Sequence, residues 1–209
     1  MDPISIALSS SALLISGATA WLTLFRRGKV KMTQPTIIYF GPDGRNNRRG
    51  SAPPKVFLRA LLFATSKRGR IIESMHVRLA RNEARQNFNI WVYGDERMVR
   101  GSGLFVGESG VAVNHHFLLP RDDKSFQFLA GKYRLEVFAR LLGDREQTCL
   151  WSQELEVSEE AARRLLESAS GLYFDWGPDA ARYMPHIDEQ PERTENPWNG
   201  LNLPQRMEK

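Results

Sequence analysis

The sequence predicts a mainly β protein: an N-terminal transmembrane helix, then an antiparallel, immunoglobulin-like β-sandwich with one C-terminal helix. Three observations carry this. Residues Ile4–Phe25 form a run of 22 residues without a charge. From Val56 to Val157, apolar residues recur with period two in short runs separated by glycine-containing turns. No helical periodicity is interleaved with them until Ser158, which favours packed antiparallel sheets over an α/β fold. A small β-barrel is the alternative architecture. The Cys…Trp…Cys pattern of antibody domains is absent, because Cys149 is the single cysteine.

The uncharged run comes first. At ~1.5 Å per residue it spans ~33 Å, enough for a ~30 Å hydrocarbon core. Its Ser and Thr hydroxyls can bond within the helix or to a partner helix. Trp21 falls near the basic end, at interface level. A cleaved export signal is the competing reading, since Ala18-Thr19-Ala20 imitates a cleavage site. However, Trp21–Phe25 continue the apolar run beyond it, and only Asp2 and the amino terminus precede it. A core helix would carry an amphipathic stripe, and this segment has no charged face. Arg26, Arg27, Lys29 and Lys31 follow directly. By the positive-inside rule they place the N-terminus outside and the remaining chain in the cytoplasm, and they attract anionic lipid.

Charge is distributed unevenly. Residues 26–85 hold 15 Lys/Arg against 3 Asp/Glu, and residues 86–209 hold 14 against 20. The basic half is thus the half beside the anchor. It reads equally as a solvated face or as a contact with anionic head groups. Nucleic acid is not expected, because no nucleic-acid motif accompanies the charge. With one cysteine no intramolecular disulfide can form, which is compatible with the cytoplasm.

The strands follow in order. "TIIYFGPDG" is a short strand closed by a turn, and "RNNRRGSAPP" is a linker. "VFLRALLFATS" is apolar on nearly both faces and suits a strand covered on both sides. "IIESMHVRLA" places Met75, Val77 and Leu79 opposite Ser74, His76 and Arg78. "FNIWVYG" sets Phe88, Ile90 and Val92 against Asn89, Trp91 and Tyr93. "GLFVG" and "GVAVNHHFLLP" are further strands. "KYRLEVFARLLG" directs Tyr133, Leu135, Val137, Ala139 and Leu141 to one face. "CLWSQELEV" directs Cys149, Trp151, Leu155 and Val157 inward. That makes seven or eight strands.

A helix begins at Ser158, a good N-cap, with Glu159 and Glu160 at the positive end of the dipole. Its apolar stripe is Ala161, Ala162, Leu165, Leu166 and Ala169, and Gly171 is the expected stop. "FDWGPDAARYMPH" then reads as an aromatic loop. The polar, proline-containing end reads as disordered. The resulting organisation is an anchor with basic flank over 1–31, a juxtamembrane strand and linker over 32–54, the sandwich with its helix and aromatic loop over 55–187, and a tail over 188–209. Because the alternation starts after the flank, a cut at residue 34 is expected to release the β domain intact. "VKMTQPTIIYFGPDG" after a terminal apolar helix, with "LYFDWGPD" near the end of a β-rich domain, resembles a group of uncharacterised bacterial single-pass membrane-anchored β-sandwich proteins. The resemblance covers most of the chain. It implies this architecture and a bacterial inner membrane, and no activity.

Chemistry-bearing motifs are sparse. His115 and His116 are adjacent on a strand, so they face opposite ways and do not share a metal. His115 lies with Val113 and Phe117 and reads as a hydrogen-bonded core residue. His186 with Asp188 is a weak metal pair. Cys149 reads as a buried, inert thiol. "GSGLFVG" does not open a helix, so it is not a dinucleotide fingerprint. No catalytic residue, cofactor or metal site is expected. The candidate interaction loop is Phe174, Asp175, Trp176, Asp179, Arg182 and Tyr183, since Trp, Tyr and Arg favour interface hot spots; the same aromatics could instead seal the sandwich. The expected function is a membrane-anchored binding or scaffold protein with the bilayer and a protein as partners. The alternatives are a periplasmic lipid- or glycan-binding sandwich, or an enzyme assembled from Asp175, Asp179, Arg182 and His186.

Overall fold

The computed structural model describes residues 2–25, 27–43, 53–95, 97–120, 126–167 and 170–188. Arg26, most of the linker read at 45–54, Ala169 and the tail from 189 onward lie outside the described residues.

Helix α1 spans Pro3–Ala20 and continues as one wide turn over Trp21–Phe25. Asp2 caps it, its carboxylate accepting from the Ile4 N–H at 3.2 Å, and Pro3 sits where a missing N–H costs nothing. The hydroxyls of Ser11, Thr19 and Thr23 donate to carbonyls one turn back at 2.7–2.9 Å, so they present no unsatisfied group. Pro3–Thr23 is long and apolar enough to cross a membrane, and none of it is buried against the rest of the protein.

Thirteen strands follow among the described residues. They are β1 (Val30–Met32), β2 (Ile37–Pro42), β3 (Pro54–Ala64), β4 (Arg70–Arg81), β5 (Ala84–Phe88), β6 (Ile90–Tyr93), β7 (Val99–Arg100), β8 (Leu104–Val106), β9 (Val111–Leu118), β10 (Gly131–Leu141), β11 (Gln147–Val157), β12 (Gly171–Gly177) and β13 (Arg182–Asp188). A short helix α2 (Glu159–Glu167) separates β11 from β12. The strands form two antiparallel sheets. The larger runs β13-β12-β2-β3-β9-β6-β7, with β1 paired to the end of β3 that β2 leaves free. The smaller runs β11-β10-β4-β5, with β8 on the other end of β4.

One hydrophobic cluster joins the two sheets. The long strands supply it by period two: Val56, Leu58, Ala60, Leu62 and Ala64 from β3; Met75, Val77 and Leu79 from β4; Tyr133, Leu135, Val137, Ala139 and Leu141 from β10. Aromatics fill one end, where Phe40 stacks on Phe128 at 5.1 Å and meets Phe174 edge-on at 5.2 Å. The α2 cap is as expected, with the Ala161 N–H donating to the Ser158 hydroxyl at 3.1 Å. Ala161 and Ala162 are buried, but Leu166 is exposed.

The structure departs from the alternation in four places. Cys149 is exposed rather than buried. Val137 pairs with Trp151 but Phe138 with Cys149, so Leu150 is an extra residue in β11. A bulge of one residue moves every side chain before it to the opposite face. Trp91, expected opposite Phe88, is buried along with it, because the chain leaves the smaller sheet after Phe88 and enters the larger one at Ile90. The segment read as an aromatic loop is the hairpin β12–β13, and β12 pairs with β2 through Leu172–Asp175. Finally, Val30 and Met32 are core residues on β1. A cut at residue 34 would therefore strip a strand from the sheet; a cut before Arg27 preserves it.

Candidate functional site

The junction between helix and sheets is built from the β3–β4 turn. The Lys29 N–H donates to the Thr65 hydroxyl at 2.9 Å, and the Thr65 N–H returns a bond to the Lys29 carbonyl at 2.9 Å. The Gly28 N–H donates to the Ser66 hydroxyl at 3.2 Å. Gly28 is buried, and a Cβ there would lie 2.5 Å from that hydroxyl, so only glycine fits. Arg70 donates to the Gly28 carbonyl at 3.1 Å and pairs with Asp144 at 2.8 Å. The chain is thus fastened to the domain three residues after the helix ends. Arg27, Lys29 and Lys31 are exposed here. Arg27 lines a depression of about 220 Å³ with Arg68, Gly69, Arg70, Ile71, Phe105, Leu142 and Gly143.

The candidate interaction residues occupy the hairpin. Phe174 is buried in the core, so it is not part of a free surface. Asp179 and Arg182 are exposed at the hairpin's turn end. Trp176 is half-buried and meets Tyr183 edge-on at 5.1 Å. Tyr183 in turn donates to the Pro35 carbonyl at 2.8 Å and accepts from Gln34 Nε2 at 3.0 Å. The Gln34 carbonyl oxygen accepts from Trp151 Nε1 at 3.2 Å. Trp151 belongs to the smaller sheet and Tyr183 to the larger, so Gln34 and the three rings form a seam between the sheets. Trp176 ends that seam and is only partly buried. Trp176→Ala is therefore expected to cost about 1–2 kcal/mol, less than the ~3–5 kcal/mol of a fully buried aromatic. Thermal melts of the full chain in detergent measure this; an unchanged midpoint would show that the ring seals nothing.

Of the four residues considered for an enzyme, Asp175, Arg182 and His186 share the outer face of the hairpin, and among the described contacts only Asp175 and His186 touch. Asp175 and His186 form a pair at 3.2 Å on the outer face, both about half exposed, and Tyr173 stacks on His186 at 5.3 Å. Asp179 and Arg182 form no hydrogen bond or ion pair with either of them among the described contacts.

Pairing across the larger sheet sets His186, Tyr173, Tyr39, Phe57 and His116 in one row on this outer face. Tyr173 lies 4.8 Å from Tyr39, and Phe57 4.8 Å from His116. Such cross-strand ring pairs stabilise a sheet surface. Burial and the nearby Lys55 hold His116 down to about 4. Its neighbour His115 points into the core, as its face-sharing with Phe117 predicts, and is fully buried. Burial, with the charge of His116, lowers His115 to about 4 as well. The neutral ring accepts from Trp91 Nε1 at Nδ1, 3.2 Å away, which leaves its proton on Nε2, a buried donor without a partner among the described residues.

On the outer face of the smaller sheet, His76 stacks on Phe138 at 5.1 Å, and Arg78 lies over the same ring at 4.6 Å. Cys149 is opposite Phe138, separated from His76 by the intervening strand. Partial burial raises its thiol above the usual value, so it is not poised as a nucleophile. Among the described residues, no group of three or more His, Cys, Asp or Glu could hold a metal ion. The depression at the junction escaped sequence reasoning because its lining comes from four separate segments. The exposed Phe105 in "GLFVG" was the one available signal. The chain matches no protein-family model and no curated protein.

Proposed function

We propose that this protein is a membrane-anchored binding or scaffold protein without enzymatic activity, which holds an immunoglobulin-like β-sandwich at the cytoplasmic face of a bacterial inner membrane. The observation that carries this is the exposure of α1. Ile4, Ile6, Leu8, Leu13, Leu14, Ile15, Trp21 and Leu22 all lie outside the core. Water contact with so much contiguous apolar surface is unfavourable, and a bilayer removes it. The internally bonded hydroxyls suit an apolar surrounding. The basic residues that follow the helix support a cytoplasmic β domain.

The binding role rests on the two sheets' exposed outer faces and on the Trp176 seam, which offer partner surface close to the membrane. The expected result is that the intact chain stays in the membrane pellet after alkaline carbonate extraction and resists protease added to the outside of spheroplasts. Release by carbonate would reject the anchor, and digestion from outside would reject the orientation.

A further inference from the structure

We infer that the end of the β domain at the junction is a docking surface for the anionic phospholipid headgroups that surround its own anchor. This rests on the membrane reading above and adds the partner and the residues. Among the described β-domain residues, eight large apolar side chains are exposed, and three of them, Ile71 (39 %), Phe105 (62 %) and Leu142 (57 %), line the single depression that also holds Arg27, Arg68 and Arg70. The clustering is built in. Ile71 pairs with Phe105 across β4 and β8, and the Leu142 N–H donates to the Ile71 carbonyl at 2.9 Å. Gly69 has a φ of +68°, and a Cβ there would lie 2.6 Å from the Phe105 ring, so the turn both places Arg68 and lets Phe105 cross it.

Among the described residues the lining carries three arginines and no carboxylate. Arg70 is committed to Asp144 and Gly28, which leaves the exposed Arg27 and Arg68 to face a phosphate, for which guanidinium is well suited. The covalent chain fixes the location. Phe25 and Gly28 are three residues apart, so at most ~11 Å separates the helix end from the bonded junction. The polar layer beyond the hydrocarbon is ~5–8 Å deep on each side. Arg27 therefore lies at headgroup level, where an aromatic ring such as Phe105 enters the boundary between headgroups and acyl chains.

The test uses the full chain in vesicles of brominated phosphatidylcholine, with and without an equal part of phosphatidylglycerol. A bimane label is placed at Phe105→Cys, or at Leu142→Cys should the first variant fail to fold, each in a Cys149→Ser background. Leu166→Cys, exposed on α2, is the reference. The expected result is strong quenching at 105 and 142 relative to 166, increased by phosphatidylglycerol. Arg68→Gln should lower the docked-to-undocked ratio about fivefold. Quenching at 105 no greater than at 166, in a chain that resists carbonate extraction, overturns the docking while sparing the anchor. Quenching that ignores phosphatidylglycerol and Arg68→Gln overturns the headgroup assignment. A chain that carbonate extracts refutes both readings.

Discussion

Val137→Asp unfolds the β domain, whereas Glu136→Lys leaves it folded. Val137 is fully buried at the centre of β10, paired with Val77 on one side and Trp151 on the other. An aspartate there has no cation within the cluster, and an unpaired buried carboxylate costs several kcal/mol. That is comparable to the ~5–15 kcal/mol that holds an ordinary domain together. Glu136 points the other way, toward Arg78 at 3.7 Å on the outer face. Reversing its charge loses a partly exposed pair and adds a like-charge contact, together worth about 1 kcal/mol. Protease resistance and melting of the two variants in detergent separate the outcomes. Equal effects would mean that the face assignment of β10 is inverted.

Acid destabilises the domain well above the pH at which carboxylates titrate, and His115 is the main cause. Its folded-state value is about 4 against an ordinary 6.5. The unfolded chain therefore takes up the proton more readily, so stability is complete above about pH 6.5 and falls as pH drops toward 4. The loss from His115 is about 1.4 kcal/mol by about pH 5.5 and about 3 kcal/mol in full. His116 has the same sign and a smaller weight, because water reaches part of its ring. Asp95 and His116 are the charged or titratable groups that act on His115, and Lys55 and Asp43 those that act on His116. Denaturant unfolding at about pH 7.5 and 5.5 measures the slope, which His115→Gln should flatten while keeping an acceptor for Trp91. A wild-type slope near zero over that range, or one unchanged by the substitution, would contradict this.

The strands that could be read from residue order are those whose period is unbroken. β10 keeps one parity over eleven residues, and all five of its expected core side chains are buried. Parity failed where the backbone does something that no side chain announces. The extra residue at Leu150 exposes Cys149, and the passage between sheets at Asn89 buries both Phe88 and Trp91. The hairpin β12–β13 looked like a loop because Gly-Pro-Asp and Pro185 suggest irregular chain; Pro185 is tolerated on β13 because that strand is an edge. The long apolar helix was plain from its composition. The surface beside it was not, since Arg27, Arg68, Phe105 and Leu142 come together only through the pairing of β4 with β8 and β10.

The bonding of Gly28 and Lys29 to the β3–β4 turn limits where this domain can meet anything else. With the helix in a bilayer, two residues are the whole length of the leash. β3 runs eleven residues away from that point, ~35 Å at the rise of an extended strand. In that setting the pole at Ala64 would stay turned to the lipid and the pole at Pro54 away from it. A partner with an equally short leash could never reach the far pole. Two such proteins would meet only flank to flank, along β11 and β5 or β13 and β7, in a search confined to two dimensions.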